Sequence, residues 1–578
     1  MEGGMTVRKW TGGLAFALML VCLLLSSSAM AGPGDVYAPN GMVSSAHELA
    51  SWAGVMIMKQ GGNAVDAAVA VALALNVVEP NASGIGGGGF MTIRTADGKT
   101  VVVDYRETAP ASATKDMFAS DEAKKGKWSI NGGKAVAVPG FVAGMFYVLE
   151  KYGTMSFAQV AQPAIELAEK GFKLHPMQSQ IITDEYEKLQ AYNDPASVPF
   201  FKDGLPMPAG EICVQKDLAK TLRILASQGK EAFYGGPIGE ALVKAVNAHG
   251  GKMTLEDLKS YRVMERKPVF GTYRGYRIYS VPPASSGGTH VVELLNILEN
   301  FPMGELKHNS ASYLHVMAEA MKLVYADRGR YMADTAFVKV PVTGLTSKGY
   351  ANRQAERIDF KKVASDVPFG NPWDFDSPVS HYVGGEVNER VSTTSFSVAD
   401  KAGNIVAATN TINYFFGSGV IVPGYGVVLN DQMDDFSSDP KSVNAPEPGK
   451  RPLSSMSPTV VLTPEDKPFM AVGAAGATRI ITAVTQIIMN AVDFRMSMDD
   501  AIEQPRIYNL VSGGKAGKLY AEEGIDPMVV EFLRLKGHDV EVKPKSGTFG
   551  TAQGIIFGSA NGLNGGADSR RLGVPVGF

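Results

Sequence analysis

The sequence predicts an α+β fold in which layers of helix cover stacked β-sheets. Two observations carry this reading. The first part of the chain alternates capped helical frames with short strand pairs, whereas the last third is rich in strands and holds one long helix. No internal repeat runs through either part, and helices layered over sheets satisfy both.

The elements follow in order. Arg8 and Lys9 precede the apolar run LAFALMLVCLLL (Leu14 to Leu25), and SSSAMAG follows. A basic segment, an apolar segment of this length and an A-x-A site ending at Ala31 read as an export signal over residues 1–31. The run is shorter than the roughly 20 residues a spanning helix needs, so no stable membrane anchor is expected. Cys22 lacks the small residues that precede a lipidated cysteine, and beyond residue 31 only Cys213 remains, expected as a buried apolar residue. SSAHELASWAGVMIMKQGG reads as a helix started by capping serines and stopped by glycines. NAVDAAVAVALALNVVEP is an Ala-rich buried helix ended by Pro80, and FMTIRTADGKTVVVDY (Phe90 to Tyr105) a β-hairpin turning at Asp97-Gly98. Helices are expected at 156–171, 215–227, 237–248, 290–300 and 309–327, with a second hairpin at 269–281. Residues 359–392 show no sustained period and are rich in Pro, Gly and Asp, the pattern of a mobile connector. TTSFSVAD, NIVAATNTIN, GVVLN, PTVVLT and FMAVGAAG are strands, and a long helix runs from Arg479 to about Val492.

Charge and motifs narrow the chemistry. The 578 residues carry a formal net charge of −3, which gives no argument for a nucleic-acid or acidic-membrane partner. There is no GxSxG elbow, no HExxH and no Cys/His metal cluster, and the eight histidines are scattered without metal-ligand spacing. His315, in YLHVMAEAMKLVYADR, is expected to pack. GIGGGG (Gly84–Gly89) matches GxGxxG literally, but a helix precedes it and a hairpin follows, the reverse of a dinucleotide site. Its glycines are expected to let backbone pass close to a strand or to the active site.

What remains is a strand that opens on Thr393-Thr394, directly after the irregular segment. A threonine hydroxyl is a weak nucleophile and normally needs a base. Cutting the chain before Thr393 supplies one, because the new α-amine titrates near 7.7–8.0. On these residues alone an ordinary Thr-Thr strand start is the commoner explanation.

Neighbouring segments change that balance. TTSFSVADKAGNIVAATNTINYFFGSG (393–419), LNDQMDDF (429–436), KRPLSSMSPT (450–459) and GAAGATRIITAV (473–484) together resemble γ-glutamyltranspeptidases. The likeness extends through DYRETAPASATKDMF, VAVPGFVAGM, EKYGTM and VPPASSGGTHVVELLNILENF to GGADSRR, so it covers essentially the whole chain after residue 31. It implies a four-layer αββα sandwich of the N-terminal-nucleophile hydrolase type, formed jointly by a large subunit (32–392) and a small subunit (393–578), with the strand-rich last third at its centre. It implies self-cleavage between Ser392 and Thr393, with Thr393 as nucleophile and Thr411 supporting it. Arg106, Ser454 and Ser455 match the residues on a donor's α-carboxylate; Asp435, Asn413 and Gln432 match those around its α-ammonium. Gly476-Ala477 stands where the family has a Gly-Gly oxyanion hole, usable if Ala477 does not require a positive φ.

The implied function is a self-processing glutathione hydrolase/γ-glutamyltransferase acting on glutathione and other γ-glutamyl compounds. Water, or an amino-acid or peptide acceptor, resolves the acyl-enzyme; no cofactor and no metal are implied, and the location is periplasmic or secreted. Two departures stand out. Ser395 replaces a common histidine, and only SSDPKSVNAPEPG separates DDF from KRPLSS, where many relatives carry a longer lid. A cephalosporin or glutaryl acylase of the same superfamily is the alternative, disfavoured by retention of Asp435, Asn413 and Gln432. A non-catalytic exported binding protein is the third.

Overall fold

The computed structural model describes residues 34–376, 392–559 and 561–578. The export segment and the 377–391 part of the connector lie outside the described residues. Seven strands of the two large sheets precede residue 392: β1 (Val36–Ala38), β2 (Gly41–Ser45), β3 (Gly88–Arg94), β4 (Thr100–Asp104), β5 (Met264–Arg266), β6 (Val269–Tyr273) and β7 (Tyr276–Ser280). Seven more follow it: β8 (Thr394–Asp400), β9 (Ile405–Thr411), β10 (Thr459–Leu462), β11 (Pro468–Ala475), β12 (Thr551–Ser559), β13 (Gly562–Ala567) and β14 (Val574–Gly577). They form two seven-stranded sheets, ordered β1-β13-β12-β11-β10-β7-β6 and β14-β2-β8-β9-β3-β4-β5. The strands at the centre of both sheets come from the last third of the chain, and each sheet takes strands from both sides of residue 392.

The two sheets pack face to face, β8 and β9 lying against β11. Helices cover the outer faces. On the β8–β9 sheet these include α1 (Glu48–Lys59), α2 (Ala64–Val78), α3 (Phe141–Tyr152) and α4 (Phe157–Lys170). On the other lie α5 (Gly287–Leu298), α6 (Ala311–Tyr331) and α7 (Arg479–Asp493). This is the αββα sandwich.

Strand alternation sets which side chains meet. Phe396 and Val398 of β8 join the apolar core beneath α2, every residue of which is buried. Ser395, Ser397 and Ala399 point the other way, into the space between the sheets. Ser397 Oγ donates to the Gln553 carbonyl at 3.1 Å, and Ser395 Oγ to that of Ala408 at 3.1 Å. A Cβ placed on Gly473 of β11 would meet Ser395 Oγ at 2.4 Å, so the sheets approach closely because both residues are small. Ser395, unexplained in the sequence, is an inter-sheet packing residue.

Several boundaries shift. The first helix is capped by His47, whose Nδ1 accepts from the Leu49 N–H at 3.2 Å, because Ser44 and Ser45 are consumed by β2. α6 runs four residues beyond the expected end, to Tyr331. In GVVLN only Val427–Val428 pairs as strand. Cys213 is a buried free thiol whose Sγ donates to the Pro199 carbonyl at 3.7 Å, and burial pushes it up to about 12. The glycine run behaves as expected. A Cβ on Gly87 or Gly89 would come within 2.1 or 2.4 Å of the carbonyl oxygens of Thr411 and Thr409, so these glycines let β3 close on β9.

A buried ionic cluster fixes the chain's last segment. Asp568 accepts from Arg506 Nη2 at 2.7 Å, from Arg570 Nη1 at 2.9 Å and from the Ala552 N–H at 2.9 Å, and Arg570 also pairs with Glu522 at 2.6 Å. Burial would raise the Asp568 carboxyl, but the two guanidiniums outweigh it and hold it at about 2. A carboxyl depressed in the folded state stabilises fully above its unfolded pKa of about 3.9 and loses that contribution as pH falls towards 2. Asp568→Asn leaves two buried guanidiniums short of charge, so urea unfolding at neutral pH is expected to show a loss of about 3–5 kcal/mol. The variant's stability is also expected to lack this acid-dependent component.

Candidate active site

The site is built on the β8–β9 ladder. Its antiparallel register pairs Thr394 with Asn410 and Ser395 with Thr409, so Thr393, one residue before β8, stands opposite Thr411. Both side chains have the parity that faces the other sheet. Thr393 Oγ1 and Thr411 Oγ1 are 3.0 Å apart, and Thr411 Oγ1 accepts from the Asn413 N–H at 2.8 Å. With that acceptor direction occupied, the Thr411 hydroxyl proton is free to be donated to Thr393 Oγ1.

Thr393 is held from behind as well. Arg571, at the end of the segment fixed by Asp568, donates through Nη1 to the Thr393 carbonyl. Thr394 Oγ1 donates to Glu79 Oε2 at 2.5 Å, and Glu79 lies 3.7 Å from Arg571. Burial raises the Glu79 carboxyl, against the pull of Arg571 and Thr394. Thr393 itself has φ of +90°, a costly conformation for a β-branched residue.

Thr393 and Thr411 open into a cleft of about 670 Å³, counted with its mouth, that also receives Arg106, Asn413, Gln432, Asp435, Ser454 and Ser455. The sequence therefore named side chains that do converge, although they are spread over 350 residues. Arg106 is buried at 1 % exposure; its Nη2 pairs with Asp435 Oδ2, and its Nε donates to the Pro452 carbonyl at 3.2 Å. Gln432 Nε2 donates to the same Asp435 oxygen at 2.6 Å. Burial raises the Asp435 carboxyl while Arg106 lowers it, and the neighbouring Glu107 is pushed up to about 7 by burial. Asn413 Nδ2 donates to the Asp431 carbonyl at 3.1 Å. Ser454 Oγ accepts from the Met456 N–H at 3.1 Å, and Ser455 Oγ from Arg328 Nη2 at 2.8 Å.

At the far wall β11 ends and the chain turns through Gly476 and Ala477 into α7. Ala477 and Thr478 line the cleft, and Thr478, the N-cap, makes no side-chain capping bond, so the first-turn N–H groups of α7 are not satisfied by a cap. Gly476 has φ of +130° and Ala477 of +53°. The condition set for this pair, that Ala477 not require a positive φ, is not met: the turn into α7 imposes one, and alanine takes the left-handed conformation at a cost of roughly 1–2 kcal/mol while keeping its N–H. The segment between DDF and KRPLSS folds onto the rim instead of spanning the cleft. Asn444 pins it, donating to the Asp435 carbonyl at 2.8 Å and accepting from the Leu453 N–H at 3.2 Å.

Sequence reading missed Arg328, Thr478, Glu79 and Arg571. The only available signal was an arginine closing an otherwise apolar helix in YADR and another in GGADSRR. It also treated the histidines as isolated. His315 and His538 lie 223 residues apart, yet His315 Nδ1 is 2.8 Å from His538 Nε2, and both come within 4.8 Å of Glu319. Lys322 Nζ sits 2.6 Å from that carboxylate, so this buried cluster carries its own cation.

Comparison with known proteins agrees with the geometry. A family profile described as Gamma-glutamyltranspeptidase matches residues 50–578. The chain is 41 % identical over 550 residues to the glutathione hydrolase proenzyme of Escherichia coli K12, covering 93 % of this chain and 91 % of that protein. It is also 41 % identical over 544 residues to the Acylase ACY 1 proenzyme of Pseudomonas sp. SE83, covering 93 % of each. The crystal structure of cephalosporin acylase from Bacillus halodurans superposes with a TM-score of 0.84 at 30 % identity, over 96 % of this chain and 98 % of that one.

The Thr393–Thr411 pair generates a direct test. Thr411→Val keeps the shape and removes the donor, and is expected to slow scission of the Ser392–Thr393 bond by about 10²-fold. Thr411→Ser is expected to retain most of the rate, followed by the appearance of two bands on denaturing gels.

Proposed function

This chain belongs to the gamma-glutamyltranspeptidase family, and from that premise we propose that it is a self-processing glutathione hydrolase/γ-glutamyltransferase whose nucleophile is Thr393. The observation that carries the reading is the hydroxyl pair Thr393–Thr411 opening onto a cleft that holds both a guanidinium and a carboxylate.

Maturation comes first. Thr393 Oγ attacks the Ser392 carbonyl carbon, the acyl group moves from nitrogen to oxygen, and water hydrolyses the ester, freeing the Thr393 α-amine. Scission removes the peptide that imposes φ of +90°, so the strain at Thr393 favours the cleaved state. The products, residues 32–392 and 393–578 after export and loss of residues 1–31, stay together as a heterodimer. β8 pairs with β2 and β9 with β3 in one sheet, and β7 pairs with β10 in the other, so each sheet is continuous across the cut.

In the mature enzyme the α-amine accepts the proton of Thr393 Oγ as it attacks the γ-carbonyl carbon of the donor. Backbone N–H groups at Gly476 and Ala477 receive the developing oxyanion, and Thr411 donates to the nucleophile's oxygen. The leaving amine takes the proton, and a γ-glutamyl ester remains on Thr393. Water returns glutamate, or an amino-acid or peptide amine carries the acyl group away. The rim-bound 437–449 segment leaves the cleft without a long lid, which favours water.

Specificity follows from charge exchange. Without substrate, Arg106 and Asp435 neutralise each other. A zwitterionic γ-glutamyl end separates them and satisfies both, its α-carboxylate meeting Arg106, Ser454 and Ser455, its α-ammonium meeting Asp435, Asn413 and Gln432. A glutaryl end must break the same pair and leaves Asp435 buried without a cation. The acylase reading draws support from two of the relatives above, and this difference separates them.

Among the described residues no helix is long and apolar enough to cross a membrane. Purified protein is expected to give two bands matching the sizes of 32–392 and 393–578, while Thr393→Ala gives one band that persists. The kcat/KM for γ-glutamyl-p-nitroanilide is expected to exceed that for the glutaryl anilide by at least about 10²-fold, and Asp435→Asn to narrow the gap to below tenfold. A glutaryl preference in the wild type would favour the acylase.

A further inference from the structure

Behind the serines of the cleft lies a cation that this chemistry leaves unused. Arg328, in the last turn of α6, is 3 % exposed and forms no ion pair among the described residues. Its Nε donates to Ser286 Oγ at 2.8 Å, its Nη2 donates to Ser455 Oγ at 2.8 Å, and its Nη1 has no hydrogen-bond partner. Burial pushes the guanidinium down to about 10, with Tyr325 and Asp435 offsetting part of the shift. Burying a charge without a counter-ion is costly, and the nearby Asp435 carboxylate is already paired with Arg106. Of the carboxylates lining the cleft, Asp435 is paired with Arg106 and Asp434 accepts from the Ser129 and Tyr414 hydroxyls, so Arg328 is the guanidinium there without an ion pair among the described residues.

The polarity of the hydrogen bonds says where an anion belongs. Ser455 Oγ accepts from Arg328, so its own proton remains available to donate. Ser286 Oγ accepts from Arg328 and donates to the Ser454 carbonyl at 2.7 Å, while the Ser286 N–H donates to the same oxygen at 2.8 Å. Ser454 Oγ accepts from the Met456 N–H, which leaves its proton free as well. One side chain thus sets the donor direction of Ser455 and, through Ser286, the placement of the backbone that carries Ser454.

We propose that Arg328 is a positioning residue for the donor's α-carboxylate: it supplies the fixed positive charge behind Ser454 and Ser455 and turns their hydroxyls towards that carboxylate. Arg106 meets the carboxylate directly; Arg328 acts through the serines. The proposal rests on the γ-glutamyl reading for the identity of the carboxylate, but its test does not need turnover.

The experiment measures binding to the mature heterodimer by calorimetry with three ligands: L-glutamate, glutarate, which lacks the ammonium, and 4-aminobutyrate, which lacks the carboxylate. Arg328→Ala is expected to raise Kd for glutamate, and for glutarate where the wild type binds it, by at least tenfold, leaving 4-aminobutyrate within twofold. Arg328→Lys, which keeps the charge with fewer donors, recovers part of the loss and carries the test should the alanine variant fail to fold. With γ-glutamyl-p-nitroanilide the expected signature is KM raised about tenfold with kcat changed less than threefold.

Equal weakening of all three ligands, or unchanged glutamate affinity, would make Arg328 a structural anchor only and overturn the proposal. So would a wild type that binds neither carboxylate ligand. A wild type that binds glutamate through Arg328 but does not cleave the γ-glutamyl anilide would instead overturn the functional reading and leave this one standing.

Discussion

The structure depends on the register of one strand pair. Because Thr394 pairs with Asn410, Thr393 and Thr411 stand opposite each other on the face that meets the second sheet. A slip of β8 by one residue would turn the Thr393 hydroxyl into the apolar layer beneath α2, away from Thr411, and bring Phe396 and Val398 into the narrow inter-sheet space. That space has no room for them, since Ser395 already meets Gly473 with nothing to spare. The packing that stabilises the sandwich is therefore the same constraint that aims the nucleophile. The close fit of β3 against β9, which only the glycines of GIGGGG permit, braces the other side of the pair.

The cleft beside the pair is organised by charge. Arg106 is drawn out of water and is made tolerable there by Asp435, which stays partly exposed at the cleft. A ligand gains by entering only when it offers both charges in return, so the resting ion pair already acts as a filter. Glu107 lies against the same guanidinium, 3.7 Å from Arg106 Nη1, with its carboxyl raised to about 7 by burial. The cation without an ion pair among the described residues, Arg328, sits at the serine end, where the carboxylate of a γ-glutamyl group would lie.

Much of this was legible in the sequence, and the reason is local. Helix 237–248, the hairpins, and the strands around Thr393 and Thr411 declare themselves by period, turn residues and β-branching. The residues that converge on the cleft could be named because each sits inside a short ordered motif. What failed to show was everything that depends on contact between distant segments. Ser395 made sense only once Gly473 faced it, and Arg571 only once the Asp568 cluster carried it to the Thr393 carbonyl. The His315–His538 contact joins a helix to a strand entry 223 residues away, and no spacing rule reaches that far. The φ of Ala477 was out of reach for a related reason. Its composition suggests a permissive residue, and only the turn between β11 and α7 reveals the left-handed φ imposed on it.

The anchors on Thr393 also explain how one residue can be both substrate and catalyst of its own release. Arg571 holds its carbonyl oxygen, Thr411 holds its hydroxyl, and Thr394, its neighbour, is tied to Glu79. None of these contacts uses the backbone nitrogen. Two of them, Arg571 and Thr411, come from the chain segment that follows Thr393, so scission before Thr393 does not remove them. The cut therefore changes one group only: an amide nitrogen with no basicity becomes an amine able to take the hydroxyl proton, beside an oxygen already fixed in place. A base delivered by a separate histidine would have to be positioned by its own set of contacts, and among the described residues no histidine lines this cleft. The missing base, the positive φ at Thr393 and the rigidity of its oxygen-side anchors are thus one arrangement, in which the scaffold fixes everything except the bond that is to be broken.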